Sequence, residues 1–446
     1  MGSTLSAARP LHRILGLGFG LAFSFGTMMG VGILRLPGMV AAAAGTPALI
    51  MLCWCIGAVY ALMGAVSVSE LAAMYPEAGG FRVYARRAFG DRAGFIVGWI
   101  DWLASVATLA YAAVSVIEFA GNLWPFVAQH AAAAALAVIC VFTVMHSAGL
   151  RMSSVMTSAV SATIGIMLMV LIVGCFMAPP AARAALPADA TAAHLAGVAM
   201  LLALVPAIRA LLTAYDGWYA PIYTAEESVD AARTLPRAII GGALLTAAIY
   251  LAINVALLRV LPVPVLAASK LPVATAAQAV LPHGSGTLMT ALAILIVLSL
   301  INSNCITGSR VLFSLAREGW ISPQAAAVNR GGTPFVALVV TALTSGVMVL
   351  TGSFNELIAL FAVLILLYYI AAFVAVFVLR LRSPGTPRPY RALGYPVSTL
   401  VVLLGSLGFL AAAIAEDWRA AVTAVAFLLL CIPAYAFAAR ARRARA

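Results

Sequence analysis

Two short stretches of the 446-residue chain could do chemistry that their apolar surroundings cannot. The first reads Gly26-Thr27-Met28-Met29-Gly30-Val31-Gly32-Ile33 and runs on to Pro37 and Gly38. The second reads Ala214-Tyr215-Asp216-Gly217-Trp218-Tyr219-Ala220-Pro221. Glycine inside a helix costs about 1 kcal/mol against alanine, and proline removes a backbone donor and disfavours helix in the residue before it. Each stretch is therefore expected to interrupt a helix. A helix restarting near Gly30–Gly32 offers unpaired N–H groups and the positive end of a dipole, which suit a carboxylate, and the glycines let that carboxylate reach the backbone. Helices stopping around Met28 and around Ala214–Tyr215 leave free carbonyls, which suit an ammonium. A site with both faces binds a zwitterion.

The ionisable residues around these stretches have two readings each. Asp216 either meets a substrate amine, a coupling cation or a proton, or caps the half-helix beginning at Gly217. Arg35, Arg209 and Glu118 fall on one side of the breaks and form either an outer gate, with Glu118 pairing one of the arginines, or side chains that snorkel to the interface. Asp101 is expected to pair with Arg92 or Arg151. Glu226, Glu227, Asp230 and Arg233 read as a solvated inner loop with some gate contacts. Ser105, Thr108 and Tyr111, together with Ser299, Asn302 and Ser303, are candidates for a side-chain pocket or for hydrogen bonds between helices.

The elements that must position these groups follow from composition. Apolar residues make up 64% of the chain and charged residues 9%, which is too little charge to cover a soluble protein of this size. The pattern predicts an all-α polytopic membrane protein with spans near 16–44, 46–69, 93–121, 132–148, 155–178, 196–229, 236–258, 285–314, 335–352, 356–380, 395–415 and 420–438. The first and sixth, which hold the two stretches, are too long for single straight helices. With the N-terminus inside, 20 of the 26 basic residues fall on the inner side and four on the outer, leaving Arg35 and Arg209 within spans. That bias places both termini in the cytoplasm and ascribes the net charge of +12 to topology and anionic lipid, with no nucleic-acid partner. All six cysteines fall in spans and read as packing residues. The five histidines are scattered without metal-ligand spacing, and neither a His-Glu-x-x-His helix nor a Gly-x-Ser-x-Gly turn occurs, so an enzyme, a metal and a cofactor are all unexpected. A channel would want a polar-lined pore, whereas the polar groups gather at the breaks.

The chain resembles the amino acid–polyamine–organocation transporters, and within them the bacterial relatives of the L-type amino-acid exchangers. The resemblance rests on four stretches in family order: Gly26 to Gly38; Ser69-Glu70-Leu71 through Tyr75-Pro76-Glu77-Ala78-Gly79-Gly80 to Tyr84, Arg86, Arg87 and Phe89-Gly90; Ala214 to Trp218 with Glu226-Glu227 and Leu235-Pro236; and Ser309-Arg310-Val311-Leu312-Phe313 with Ala316-Arg317-Glu318-Gly319. It implies a five-plus-five inverted repeat, 16–180 and 196–380, with discontinuous helices one and six. A cytoplasmic N-terminus (1–15), two further helices (395–438) and a basic tail (439–446) complete that plan. It implies alternating access in the inner membrane, with substrate held at Met28, Gly30, Val31, Gly32, Ile33, Thr213, Ala214, Tyr215, Asp216 and Gly217. By position, Val31 and Gly32 would give N–H groups to the carboxylate, and Met28, Thr213 and Asp216 carbonyls to the amine. Three departures stand out. Val31 replaces a frequent serine, so carboxylate binding falls to the backbone. Thr213 stands where an aromatic gate is usual, which shifts occlusion to Trp218 or Tyr215. No lysine lies in any span, including near Ile164, where proton-coupled relatives carry one. Exchange or coupling to H+ or Na+ are the mechanisms implied. A polyamine or organic cation is the alternative cargo, disfavoured because Asp216 is the single clear carboxylate. No extracellular cysteine is available for a heavy-chain partner.

Overall fold

The computed structural model describes residues 11–30, 32–121, 123–179, 204, 207, 211, 214–281, 285–351, 354–416 and 418–443; Val31, Arg209 and Thr213 lie outside them. Among the described residues the chain is helical, with no strand and one isolated bridge joining Leu15 and Ser228. Among the described residues eight helices are long and apolar enough to cross a membrane: Pro47–Met74, Asp91–Gly121, Leu150–Met177, Ala231–Val260, Ser285–Arg317, Val363–Arg382, Val397–Ala415 and Val422–Arg440. A ninth forms if the bent pair α1 (Leu17–Met28) and α2 (Gly32–Ala44) is taken as one span. Two shorter apolar helices, Ala131–Ser147 and Phe335–Thr351, accompany them.

In chain order α3 is Pro47–Met74, α4 Phe81–Phe89, α5 Asp91–Gly121, α6 Pro125–Gln129, α7 Ala131–Ser147 and α8 Leu150–Met177. After the second interrupted stretch come α9 (Ala231–Val260), α10 (Val263–Ala268), α11 (Pro272–Val280), α12 (Ser285–Arg317), α13 (Phe335–Thr351), α14 (Phe354–Arg382), α15 (Val397–Glu416) and α16 (Trp418–Arg443). Their starts follow local chemistry. Thr46 caps α3 by accepting from the Leu49 N–H at 3.4 Å, with Pro47 at the first helical position.

Helix α5 is the central post. Most of its side chains are buried, and it packs against α4, α7, α12, α13 and α14. Helices α1 and α9 pack together, and α9 also lies along α3. The outer helices turn bare aliphatic faces outward, including Val155, Ile166, Met169 and Val173 on α8 and Leu400, Leu404 and Leu407 on α15. Such continuous apolar surface belongs in lipid.

One end of the bundle is tied by ion pairs. Buried Glu70, at the end of α3, accepts from Arg380 at 2.9 Å, from Arg388 at 3.3 Å and from the Ala392 N–H at 2.7 Å, locking the chain after α14 onto α3. Arg82 on α4 donates to Ser314 and Glu318, and Arg86 bridges Glu318 (2.6 Å) and Glu77 (2.9 Å). Burial holds the Arg82 guanidinium below its ordinary range, with Glu318 opposing that shift. Glu226 accepts from Arg317 at 2.8 Å and from the Ala78 N–H at 3.3 Å. Glu227 is fully buried in a two-pronged pair with Arg310 (2.6 and 2.8 Å). The expectation of a solvated loop over these residues is corrected for Glu227: the loop folds inward because the arginine of α12 supplies a buried counter-charge.

Candidate functional site

Both sequence interruptions are breaks in the structure, and they touch. Helix α1 ends at Met28 and α2 restarts at Gly32 with a 49° bend between them. In the sixth stretch Leu204, Ala207, Leu211 and Ala214 are helical. Residues 215–219 then turn, and Ala220–Glu227 continues as a 3-10 segment. The second break therefore does not restart as an α-helix. Pro221 removes a donor there, and Gly217 takes a left-handed φ of 105°. A Cβ on Gly217 would lie 2.8 Å from the Thr27 carbonyl carbon and oxygen and 2.9 Å from the Met28 nitrogen, so only glycine lets the two breaks meet backbone to backbone. Gly32 sits on the Ala214 side of the same contact.

The carbonyls expected to be free are partly served. Tyr250 on α9 is fully buried, and its hydroxyl reaches the Met28 carbonyl at 2.8 Å and the Ala214 carbonyl at 3.2 Å. A phenol has one proton and cannot satisfy both at once. The Met28 carbonyl also accepts from the Gly30 N–H at 2.9 Å, so the acceptor capacity left over lies chiefly at the Ala214 carbonyl, where an ammonium would add a donor. Edge-on contacts with Trp54 (5.5 Å) and Tyr215 (5.0 Å) fix the Tyr250 ring, and Tyr215 donates to the Trp54 carbonyl at 3.2 Å. Sequence reasoning missed Tyr250; the sole signal was one phenol in an otherwise aliphatic stretch of span seven. Tyr250→Phe is expected to strip this donor from the Ala214 carbonyl, to leave the Met28 carbonyl with the Gly30 N–H alone, and to lower the stability of the ligand-free protein by about 1–3 kcal/mol, read as an earlier thermal unfolding. Unfolding at the parent temperature would mean that other donors serve them.

Asp216 sits in the second break against phenols. Tyr369 of α14 and Tyr219 (3.3 Å) both donate to its carboxyl group, the backbone of Gly217 contributes too, and Tyr219 in turn bonds Tyr368 at 2.9 Å. Part of the capping reading is thus present, although no α-helix follows. Trp218 is buried, stacks on Tyr369 at 5.7 Å and packs on Gly64 of α3; its carbonyl accepts from Ser24 at 3.0 Å. With Phe81 stacked on Tyr368 at 4.8 Å, these rings make an aromatic layer between the breaks and the ion-paired end. This layer also escaped the sequence reading, because its members come from α4, α14 and the sixth stretch.

The pocket candidates turn mostly to their own helices and neighbours. Ser105 and Thr108 donate to the Asp101 and Ala104 carbonyls, one turn back on α5. Ser299 of α12 donates to the Gly26 carbonyl at 3.1 Å, Asn302 to Thr157 at 2.6 Å, and Ser303 accepts from Thr27 at 2.9 Å. Near the expected lysine position, Ile164 is buried, and Ser161 of α8 donates to the Ala22 carbonyl at 2.7 Å. Two carbonyls on one face of α1, at Ala22 and Gly26, are thus served by neutral hydroxyls. Tyr111 is half-buried, with Asp216 within electrostatic reach.

Of the two pairings expected for Glu118, the one with Arg35 is not formed. Arg35 and Glu118 are both exposed, and the Arg35 guanidinium lies over the Phe119 ring at 5.8 Å instead of on Glu118. Val31, Thr213 and Arg209 fall outside the described residues. Asp101 meets the Tyr223 hydroxyl at 2.7 Å, while Arg92 lies over the Tyr435 ring. The pairing expected with Arg92 or Arg151 is replaced by the phenol that the 3-10 segment projects to α5.

A helical membrane protein with two helix breaks in backbone contact at its centre is the architecture of a carrier. Residues 20–438 match the amino acid permease family, and the chain belongs to that family of transporters. It is 24% identical over 434 residues to the serine/threonine exchanger SteT of Bacillus subtilis, covering 95% of this chain and 96% of the relative. It is 30% identical to an uncharacterized transporter of Mycobacterium tuberculosis (95% and 91%) and 28% identical to the human Asc-type amino acid transporter 1 (88% and 76%).

Proposed function

We propose that this permease moves L-amino acids across the cytoplasmic membrane by alternating access, with the zwitterion held between the two breaks. The observation that carries this reading is the pair of carbonyls, Met28 and Ala214, that share the single Tyr250 hydroxyl and leave the Ala214 carbonyl able to accept an ammonium between the breaks. The carboxylate goes to the N–H groups where α2 begins, at Val31 and Gly32, because the Gly30 N–H is committed to the Met28 carbonyl at 2.9 Å, and Asp216 with Gly217 lines the opposite wall. Twelve spans in two inverted five-helix repeats frame the site. Ala131–Ser147, Phe335–Thr351 and the interrupted sixth complete the set, since a short span is accommodated by local thinning of the bilayer. The ion-paired, arginine-rich end faces the cytoplasm, as do both termini.

Exchange is favoured over coupling to Na+ or to a lysine-borne proton. The Ala22 and Gly26 carbonyls accept from Ser161 and Ser299, so a cation there would have to displace hydroxyl donors. The serine/threonine exchange named for one relative and the amino-acid transport named for another support the same choice of cargo over a polyamine.

Counterflow in proteoliposomes tests it. Vesicles preloaded with unlabelled serine, alanine or leucine are expected to draw in labelled amino acid several-fold faster than empty vesicles, with little response to a Na+ gradient. Uptake that putrescine alone competes, or that empty vesicles match, would sink the reading.

A further inference from the structure

Asp101 lies on α5, 1% exposed, at the level where Tyr223 of the 3-10 segment after the second break reaches that helix. Its Oδ1 accepts from Tyr223, and the Phe81 backbone N–H contributes as well. Its Oδ2 is buried and has no hydrogen-bond partner among the described residues. The cation that faces it, Arg82 from α4, is turned away: its terminal nitrogens are held by Ser314 of α12 and by Glu318, and its Nε is likewise buried without a partner. Arg82 crosses α5 over Gly98, one turn before Asp101, where a Cβ would lie 2.9 Å from its Cδ. From the sixth stretch Tyr219 also faces the carboxyl group and leads through its own hydroxyl to Tyr368 of α14 and to Asp216. Ser105 of α5 and Thr307 of α12 close the neighbourhood, 3.5 Å apart, and the Glu227 carboxylate is already held by both prongs of Arg310.

We propose that Asp101 is a proton-binding site in the layer that separates the substrate breaks from the arginine-rich end. A buried carboxylate with an unserved oxygen is costly, whereas a proton on Oδ2 cancels the charge and leaves Oδ1 free to accept from Tyr223. The guanidinium that could offset that charge is committed to Glu318. The site binds one proton while Tyr223 packs on α5. When the 3-10 segment parts from α5, water reaches the carboxyl group, and Asp101 passes that proton to it, leaving carboxylate and hydronium. Only this opening step rests on the carrier reading. Protonation therefore holds the layer shut, and exchange slows as the pH falls.

Infrared difference spectroscopy on the purified, ligand-free protein in lipid reads the site without transport. Stepping from roughly pH 5 to roughly pH 9, the window that brackets environment-shifted carboxyl groups, is expected to give a negative protonated-carboxyl C=O band. That band should vanish in Asp101→Asn, persist in Asp216→Asn, and change frequency in Tyr223→Phe, which keeps the ring and removes the hydrogen bond. A full band in Asp101→Asn, or no shift in Tyr223→Phe, overturns the proposal. In counterflow the parent should show an acid limb approaching a tenfold fall per pH unit, the limit for one titrating group, and Asp101→Asn a flat profile. A limb retained in that variant also overturns it. A parent that carries no amino acid would instead defeat the carrier reading, while the infrared band still decides the proton site.

Discussion

Arg310→Met is expected to cost about 3–5 kcal/mol of stability, because it strands a carboxylate that has no route to water. Glu227 is completely buried and Arg310 is 3% exposed, and the guanidinium gives a further N–H to the Ile306 carbonyl at 3.1 Å. The pair also anchors three segments. Glu227 closes the 3-10 segment, its carbonyl accepts from the Ile14 and Leu15 N–H groups at 3.1 and 3.0 Å, and Arg310 belongs to α12. Thermal unfolding in detergent should show a large downward shift for Arg310→Met and for Glu227→Gln. The double variant should regain more than half of the loss, since removing both charges removes the unpaired one. Singles that unfold with the parent, or a double that is worse than either, would mean that water or another cation neutralises the site.

Gly217→Ala is expected to abolish most transport while leaving a folded protein. A left-handed φ costs an L-residue about 1–3 kcal/mol, and here the added methyl also meets main chain, which cannot rotate out of the way. The Thr27–Met28 peptide would have to back off, prising apart the two breaks that frame the proposed amine site. More than a tenfold fall in counterflow at unchanged membrane abundance is the expected result. Gly64→Ala is the comparison, since there the nearest neighbour is the Trp218 ring at 2.9 Å, a side chain that can tilt. Near-parental transport in Gly217→Ala would show that the breaks tolerate separation and would remove the basis of the site.

How far these features could be seen in advance depends on the reach of the interaction behind each. Long apolar runs mark helices because each must satisfy its own backbone in lipid, and the starts and stops around Thr46–Pro47 and Met28–Gly32 follow from residues within one turn. The glycine- and proline-rich breaks were legible for the same reason. Asp216 drew attention as a charge out of place, yet the phenols that hold it, Tyr219 and Tyr369, stand 3 and 153 positions away. The expected partners of Asp101 were chosen by proximity along the spans, and packing selected Tyr223 instead; of the two arginines offered to Glu118, Arg35 lies over the Phe119 ring and Arg209 is outside the described residues.

Composition and local backbone chemistry alone are enough to place this chain in a bilayer and to mark where its helices fail. Which hydroxyl closes those failures was settled in three dimensions. Tyr250 answers Met28 from 222 positions away, and Arg310 meets Glu227 across 83. Helix formation is decided within a turn of chain. Pairing of buried polar groups is decided by which helix faces become neighbours, and only the assembled packing sets that.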